Sequence, residues 1–343
     1  MYHKQIELLE VIDRTESDHD RFNAVKQIIE QGGFSDEDIA SIINWNKGEI
    51  IFNLIEKCDI TTLNYFIEKG ADVKVKNQEG FTALHWACIR GKDRVVKLLL
   101  EKKDKNGNYI VNVNEKDGAG FTALLLACFL KHDNIIKLLL DTGRVNLKKD
   151  VIKNVNDPMI NNIFSAYLSN SVIEAAKINW LNRVNYLISN KDNTLINEKD
   201  KYGNTPLHYA CMNKNFKIVK LLLEKKDKNG NCIANVNEKN KEGYSPLHYA
   251  CIIGDNKLVK LLLEKKNRNG NYIANVNEKD VIGSTVLHYA CLLEHDELLK
   301  LLIEMKDKNG NCIANINEKN KVGYTPLHIA CLKRELQNSK APS

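Results

Sequence analysis

Five histidines recur at one place, each three residues before a cysteine: His85 and Cys88, His208 and Cys211, His248 and Cys251, His288 and Cys291, His328 and Cys331. Imidazole and thiolate are donors that zinc accepts, and residues three apart share one helical face. A structural zinc, however, needs four donors converging at ~2.0–2.3 Å. One pair repeated along a chain spreads its donors out. Two other patterns are weaker. Gly118-Ala-Gly120-Phe-Thr-Ala123 has the letters of a dinucleotide fingerprint without a strand–helix–strand unit around it. Asp104-Lys-Asn-Gly-Asn108 is vaguely like a calcium loop, but its glycine comes too early and no glutamate closes the twelfth position. In a sister copy Asn267 stands where Asp104 does. No phosphate-binding Gly-x-x-x-x-Gly-Lys, His-Glu-x-x-His or nucleophile elbow occurs. The chain is therefore expected to be non-catalytic, with no cofactor and no metal.

The elements that carry these residues are a repeated block. It reads Gly203-Asn-Thr-Pro-Leu-His-Tyr-Ala-Cys211 and returns at Gly243, Gly283 and Gly323, forty residues apart; Gly80 and Gly120 open two earlier copies at the same spacing. Such a period means stacked supersecondary units and not one globular core. Each letter has a physical task. Thr205 or Ser245 stands at a helix N-cap, and Pro206, Pro246 and Pro326 take the first helical position, where a missing N–H costs nothing. Leu207 and Ala210 face inward at helical spacing. A second apolar run follows, as in Val95-Val-Lys-Leu-Leu-Leu100, after a short turn with Gly91 or Gly254. Each unit is a helix–turn–helix with a polar connector.

The blocks, with Glu68-Lys-Gly-Ala-Asp-Val73, resemble the ankyrin-repeat family, whose consensus runs Gly-x-Thr-Pro-Leu-His-x-Ala, a turn, Val-x-x-Leu-Leu, then Gly-Ala-x-Val-Asn. The resemblance covers roughly residues 47–333 and implies an all-α solenoid of antiparallel helix pairs, L-shaped, with finger-like connectors. It also implies that the histidines bond the capping Thr and nearby backbone. The expected organisation is an N-terminal helical cap or worn repeat at 1–46, then repeats at 47–79, 80–119, 120–167 with an insertion, a degenerate 168–202, 203–242, 243–282, 283–322 and a partial 323–333. A tail at 334–343 follows.

Three departures stand out. The repeat is 40 long against the family's usual length of about 33, and the extra residues read Lys-Lys-Asp-Lys-Asn-Gly-Asn in the copies ending at Asn108 and Asn231. The second helix is expected to run about one turn further and stop at Asn-Gly; a short hairpin is the competing reading. The step after Cys128 is irregular, with a helically spaced stretch at Asp157–Leu168 that would bend the array. After Cys331 no second-helix apolar run follows, so core surface would lie exposed.

Composition fits a mixed-surface chain: 50 basic and 44 acidic residues give a net charge of +6, which is no basic stripe. No apolar stretch approaches a membrane span. The start lacks the apolar core of a signal peptide. Nine cysteines, an odd number without Cys-x-x-Cys, point to a reducing, cytoplasmic setting, and six of them share the core phase after the inward Ala. The array resembles those of intracellular bacteria and low-GC protists, which implies a secreted effector acting in host cytosol.

The resemblance implies a partner protein held on positions just after the turn Gly and just after Ala-Cys. Here these include Phe81, Phe121, Phe129, Leu130, Tyr244, Ile252, Ile253, Leu292, Leu293 and Tyr324, with Asn204 and Ser284 at the first phase. The set is apolar and aromatic, as interfaces are. Two alternatives stay open: the connectors fold over these side chains, or the Lys-rich connectors bind nucleic acid or an acidic membrane surface.

Overall fold

In the repeated block each first helix begins where a Thr or Ser hydroxyl stands at the N-cap. Thr205 accepts from His208 N at 3.4 Å and Pro206 follows at the first helical position. The computed structural model describes residues 2–147, 157–190, 193–267, 269–307 and 309–338. Nineteen α-helices and no strand occur among them.

The chain forms two units, Met1–Phe164 and Ser165–Ser343. In the first, α1 (Tyr2–Arg14), α2 (Asp18–Gln31) and α3 (Asp36–Ile43) precede three pairs: α4 (Trp45–Lys57) with α5 (Ile60–Glu68), α6 (Ala83–Ile89) with α7 (Asp93–Glu101), and α8 (Ala123–Phe129) with α9 (Asp133–Asp141). The boundary falls within α10 (Pro158–Ser169), which Asp157 caps by accepting from Met159 N at 2.9 Å. Residues 148–156 of the irregular step, and 339–343 of the tail, lie outside the described residues. The second unit has α11 (Val172–Lys177) with α12 (Leu181–Asn190), α13 (Pro206–Met212) with α14 (Phe216–Glu224), α15 (Pro246–Ile253) with α16 (Asn256–Leu263), α17 (Val286–Leu292) with α18 (Asp296–Glu304), and α19 (Pro326–Asn338).

First helices pack on first helices, α6 on α8 and α13 on α15 on α17 on α19; second helices do likewise. Their facing residues are small or aliphatic and fully buried, such as Ala210, Cys211, Val219 and Leu222. At α19 the same inward phase is bare: Leu327 is 69% exposed, whereas Leu287 one layer earlier is 3% exposed.

A buried ion pair ties α1 and α2 to the start of α5. Arg21 reaches Asp59 at 3.1 Å and Asp18 at 2.8 Å, and its remaining N–H groups donate to the carbonyls of Ile12, Thr15 and Glu16. Asp59 in turn caps α5 through Thr62 N at 2.9 Å. Ser35 and Asp38 form a reciprocal capping box at the start of α3.

The extra residues of the long repeat correct the expectation of a longer helix. The second helices end at Glu101, Glu224, Leu263 and Glu304, and antiparallel bridges Lys103–Tyr109, Lys226–Cys232, Lys266–Tyr272 and Lys306–Cys312 close hairpins. The cause is local competition for N–H groups. Asp104 Oδ1 accepts from Asn106 N and Asn108 N, both at 2.9 Å, and Gly107 N donates to Asp104 O at 3.0 Å. Gly107 supplies the left-handed residue at φ +81°. Asn267 repeats these bonds to Asn269 N and Asn271 N. An oxygen acceptor is all the turn needs, which is why Asp and Asn interchange there.

Connectors of successive layers are tied by asparagines. Asn237 Nδ2 donates to Ile273 O at 2.7 Å and its Oδ1 accepts from Asn275 N at 2.8 Å; Asn277 does the same to Ile313 and Asn315, and Asn197 to Ile233 and Asn235. Ion pairs run beside them: Lys199 with Glu238, Lys239 with Glu278 and Lys279 with Glu318, at 2.5–2.6 Å.

The turn inside each helix pair is left-handed whatever its residue: Gly91 and Gly254, but also Lys131, Lys214 and Glu294, at φ +53° to +71°. Glycine appears where the next layer's side chain needs room. A Cβ on Gly254 would lie 2.5 Å from His295 Cε1, and His295 Nε2 contacts Ile252 O at 3.3 Å. At Lys214 the corresponding residue of the next layer is Asp255. Gly254→Ala should therefore cost about 2 kcal/mol, backbone strain plus a displaced His295 contact. In a His295→Asp background the same change should cost about 1 kcal/mol, and urea midpoints of the four proteins check it.

Candidate partner-binding surface

The recurring histidine is a two-layer fastener. In His208, Nδ1 accepts from Thr205 N at 3.0 Å and lies 2.8 Å from Thr205 Oγ1, while Nε2 meets Tyr244 O of the next layer at 3.0 Å. A backbone N–H can only donate and a carbonyl can only accept, so Nε2 carries the proton and the ring is neutral. His85 spans from Thr82 to Glu115 O, and His288 from Thr285 to Tyr324 O, in the same way. His248 keeps its bonds to Ser245, but its buried Nε2 has no partner at hydrogen-bond geometry; the Ser284 carbonyl only favours the protonated form. Leu125 stands where the second layer of this series would have its histidine.

Burial pushes the His208 imidazole from 6.5 down to about 4, against the pull of the Tyr244 carbonyl. The same cause lowers His85, His248 and His288. The partnered cysteines are inert for the same reason: burial pushes the Cys128 thiol up to about 12, and Cys88, Cys211 and Cys251 also rise. These thiols act as small apolar side chains. Among the described residues no group of three or more His, Cys, Asp or Glu converges as a metal site would.

Around this fastener the chain places a row of tyrosines at the position after His208, His248 and His288. Tyr209 Oη donates to Asp200 Oδ2 at 2.5 Å, Tyr289 Oη to Asp280 Oδ2 at 2.6 Å, and Asn240 Nδ2 reaches Tyr249 Oη at 2.9 Å. Each Asp or Asn lies nine residues before its tyrosine and also shapes the finger turn, Asp280 Oδ1 accepting from Ile282 N and Ser284 N. Burial pushes Tyr209 up to about 12, helped by the Asp200 carboxylate. For Asp200 burial acts upward, yet the donors Tyr209 Oη and the N–H groups of Asn204 and Tyr202 together hold it below the usual carboxylate range.

A family model described as ankyrin repeats (3 copies) matches residues 51–150, 152–232, 229–312 and 271–340. The chain belongs to the ankyrin-repeat family. No curated protein matches it. Ankyrin repeats generally mediate contacts between proteins, and no described helix is long and apolar enough to cross a membrane.

On this ankyrin frame the positions expected from the sequence to face a partner divide. Phe129 and Leu130 are 57% and 45% exposed, and Phe129 stands edge-on to the exposed Phe121 at 5.6 Å. Leu292, Leu293 and Tyr324 are also exposed. At these side chains the alternative of connectors folded over them fails. Ile252 and Ile253 are half-buried. Phe81 is half-buried against Trp86 at 6.0 Å, and Tyr244 sits inside the tyrosine row, its hydroxyl 3.0 Å from Tyr289 Oη. Asn204 and Ser284 are buried and face no partner, which corrects the expectation for that phase. Asn204 Oδ1 is instead taken by Asn240 Nδ2 of the next layer at 2.9 Å. The sequence reading missed Tyr209, Tyr249 and Tyr289, although the repeated tyrosine nine residues after Asp or Asn was a usable signal. It also missed the exposed finger tips Tyr202, Val281, Ile282 and Val322.

Unfolding returns the lowered histidines to their ordinary range, so between about pH 4 and 6.5 the unfolded chain binds more protons than the folded one. Stability must then fall as pH drops through that window. His208 alone should contribute a loss on the order of 3 kcal/mol by the acid end. Urea midpoints measured from pH 7 to 4 should fall steeply, and His208→Gln, less stable at pH 7, should show a shallower fall.

Proposed function

We propose that this ankyrin protein is a non-catalytic scaffold that takes a partner protein on its apolar and aromatic positions, some exposed and some half-buried. In the first unit these are Phe81, Phe121, Phe129 and Leu130; in the second they are Tyr244, Ile252, Ile253, Leu292, Leu293 and Tyr324. One observation carries the reading: Leu292 and Leu293 stay 41% and 38% exposed beside a row of hydrogen-bonded tyrosines. Adjacent exposed apolar side chains backed by fixed aromatics are the composition of a binding hot spot.

The proposed compartment is reducing. All nine cysteines are unpaired, and Cys312 and Cys331 are exposed where an oxidant would reach them. The finer role of a secreted effector in host cytosol rests on the resemblance of the array, and fractionation of host cells tests it.

The scaffold reading is tested by affinity capture with the wild type and an Ile253→Asp/Leu292→Asp variant whose helicity is verified by circular dichroism. The expected result is a protein held by the wild type and lost by the still-helical variant. Equal capture by both would reject this surface. Binding that instead falls steeply with salt and requires RNA or anionic lipid would favour the hairpin lysines Lys103, Lys226, Lys266 and Lys306.

A further inference from the structure

We propose that a cleft in the unit Met1–Phe164 receives a lysine or arginine side chain of the partner protein, a deepening that rests on the scaffold reading. The cleft has a volume of about 250 Å³ and lies where α4, the finger turn at 77–81 and α6 meet. Its walls include Glu49, Phe52, Asn53, Asn77, Glu79 and Trp86, and among the described residues the charged ones in its lining are Glu49 and Glu79. Among the described residues both carboxylates are held by neutral amides: Asn46 Nδ2 donates to Glu49 at 2.5 Å and Asn77 Nδ2 to Glu79 at 2.6 Å. A neutral amide orients a carboxylate and leaves its charge in place.

The aromatic walls suit a cation as well. Phe52 stands edge-on to Trp86 at 6.1 Å and 85°. Trp86 already carries one cation of the chain: the Arg90 guanidinium lies 4.5 Å from its ring centroid and is fixed by Glu56 at 2.6 Å. Carboxylate, aromatic ring and cation thus meet once here within the fold. The cleft presents two more carboxylates and the Phe52 ring beside the same indole, with no basic residue in its lining among the described residues. The Trp86 Nε1–H is buried and has no acceptor, so the ring can reorient around a guest without breaking a hydrogen bond.

An acidic partner segment is disfavoured by the two carboxylates, and a purely apolar side chain would bury them without compensation. A long cationic side chain does neither. Its methylenes lie along the rings and its head reaches the carboxylates.

The test titrates the full chain with acetyl-Gly-Arg-Gly-amide, acetyl-Gly-Lys-Gly-amide and acetyl-Gly-Gln-Gly-amide, reading tryptophan emission. Trp86→Phe identifies the reporting indole among the three tryptophans. The Arg and Lys peptides should give a saturable response that the Gln peptide lacks. Glu79→Gln should weaken it about fivefold, and Glu49→Gln/Glu79→Gln should abolish it with unchanged circular dichroism. A response shared by the Gln peptide, one that survives the double variant, or no saturable response overturns the proposal. Ile253→Asp/Leu292→Asp removes no lining residue and should leave the peptide response intact. Its loss of partner capture therefore reports on the scaffold reading separately from this cleft.

Discussion

Where the repeated block is complete, its layers depend on a neutral imidazole shared between two of them, as at His85, His208 and His288. Its Nδ1 completes the cap of its own first helix, and its Nε2–H goes to a carbonyl of the following connector, as His208 does to Tyr244. One side chain therefore ends a helix correctly and sets the distance to the next unit. The charged form cannot complete the cap, because a proton on Nδ1 would face the backbone N–H that now donates to it. Burial keeps that form out of reach at neutral pH, and the surrounding Ala, Cys and Leu positions are small or aliphatic because they provide the burial. The repeated block is thus a single device, and its letters cannot vary independently.

The connectors extend the same logic outward. Asn197, Asn237 and Asn277 each use both ends of an amide to hold the next connector, and a Lys–Glu pair runs alongside. The amides matter more than the ion pairs, because partly exposed pairs of this kind contribute little each while an unsatisfied backbone group is costly. Since each bond reaches only the adjacent layer, order propagates along a unit by nearest neighbours. That is also why the side chains facing away from the ladder are free to differ: Met212, Ile252 and Leu292 occupy one phase without disturbing it.

What could be read from the sequence follows from the range of each interaction. The forty-residue period, the caps and the inward Ala-Cys pair are local and recur, so they were legible residue by residue. The hairpin was not, because Asn-Gly serves equally well as a helix C-cap, and the decision rests on Asp104 collecting the N–H groups of Asn106 and Asn108 before the helix can. The Arg21–Asp59 pair joins residues 38 apart in a region with no repeat to reveal it. The tyrosine row was visible as letters, but its role appears only when Asp280 and Tyr289 are brought together. Asn204 and Ser284 show the converse: a phase that faces outward at Phe121 turns inward when the side chain is short and polar enough to bond the neighbouring layer.

The lengthened repeat gives the last step. Its extra hairpin copies the finger turn that already exists in each layer: an Asp or Asn oxygen takes two N–H groups, and a glycine follows three residues on, in Asp227-Lys-Asn-Gly230 as in Asn240-Lys-Glu-Gly243. A turn closed by its own side chain makes few demands on its surroundings, so seven residues could be accommodated after the second helix without altering the histidine fastener, the asparagine ladder or the inward phase. The elongation therefore changes the rim of the solenoid while leaving the first-helix surface as it is in each layer. The surfaces proposed for recognition, Leu292 with Leu293 and the Trp86 cleft, are made of side chains that the ladder does not use, on a frame whose spacing the longer connector does not disturb.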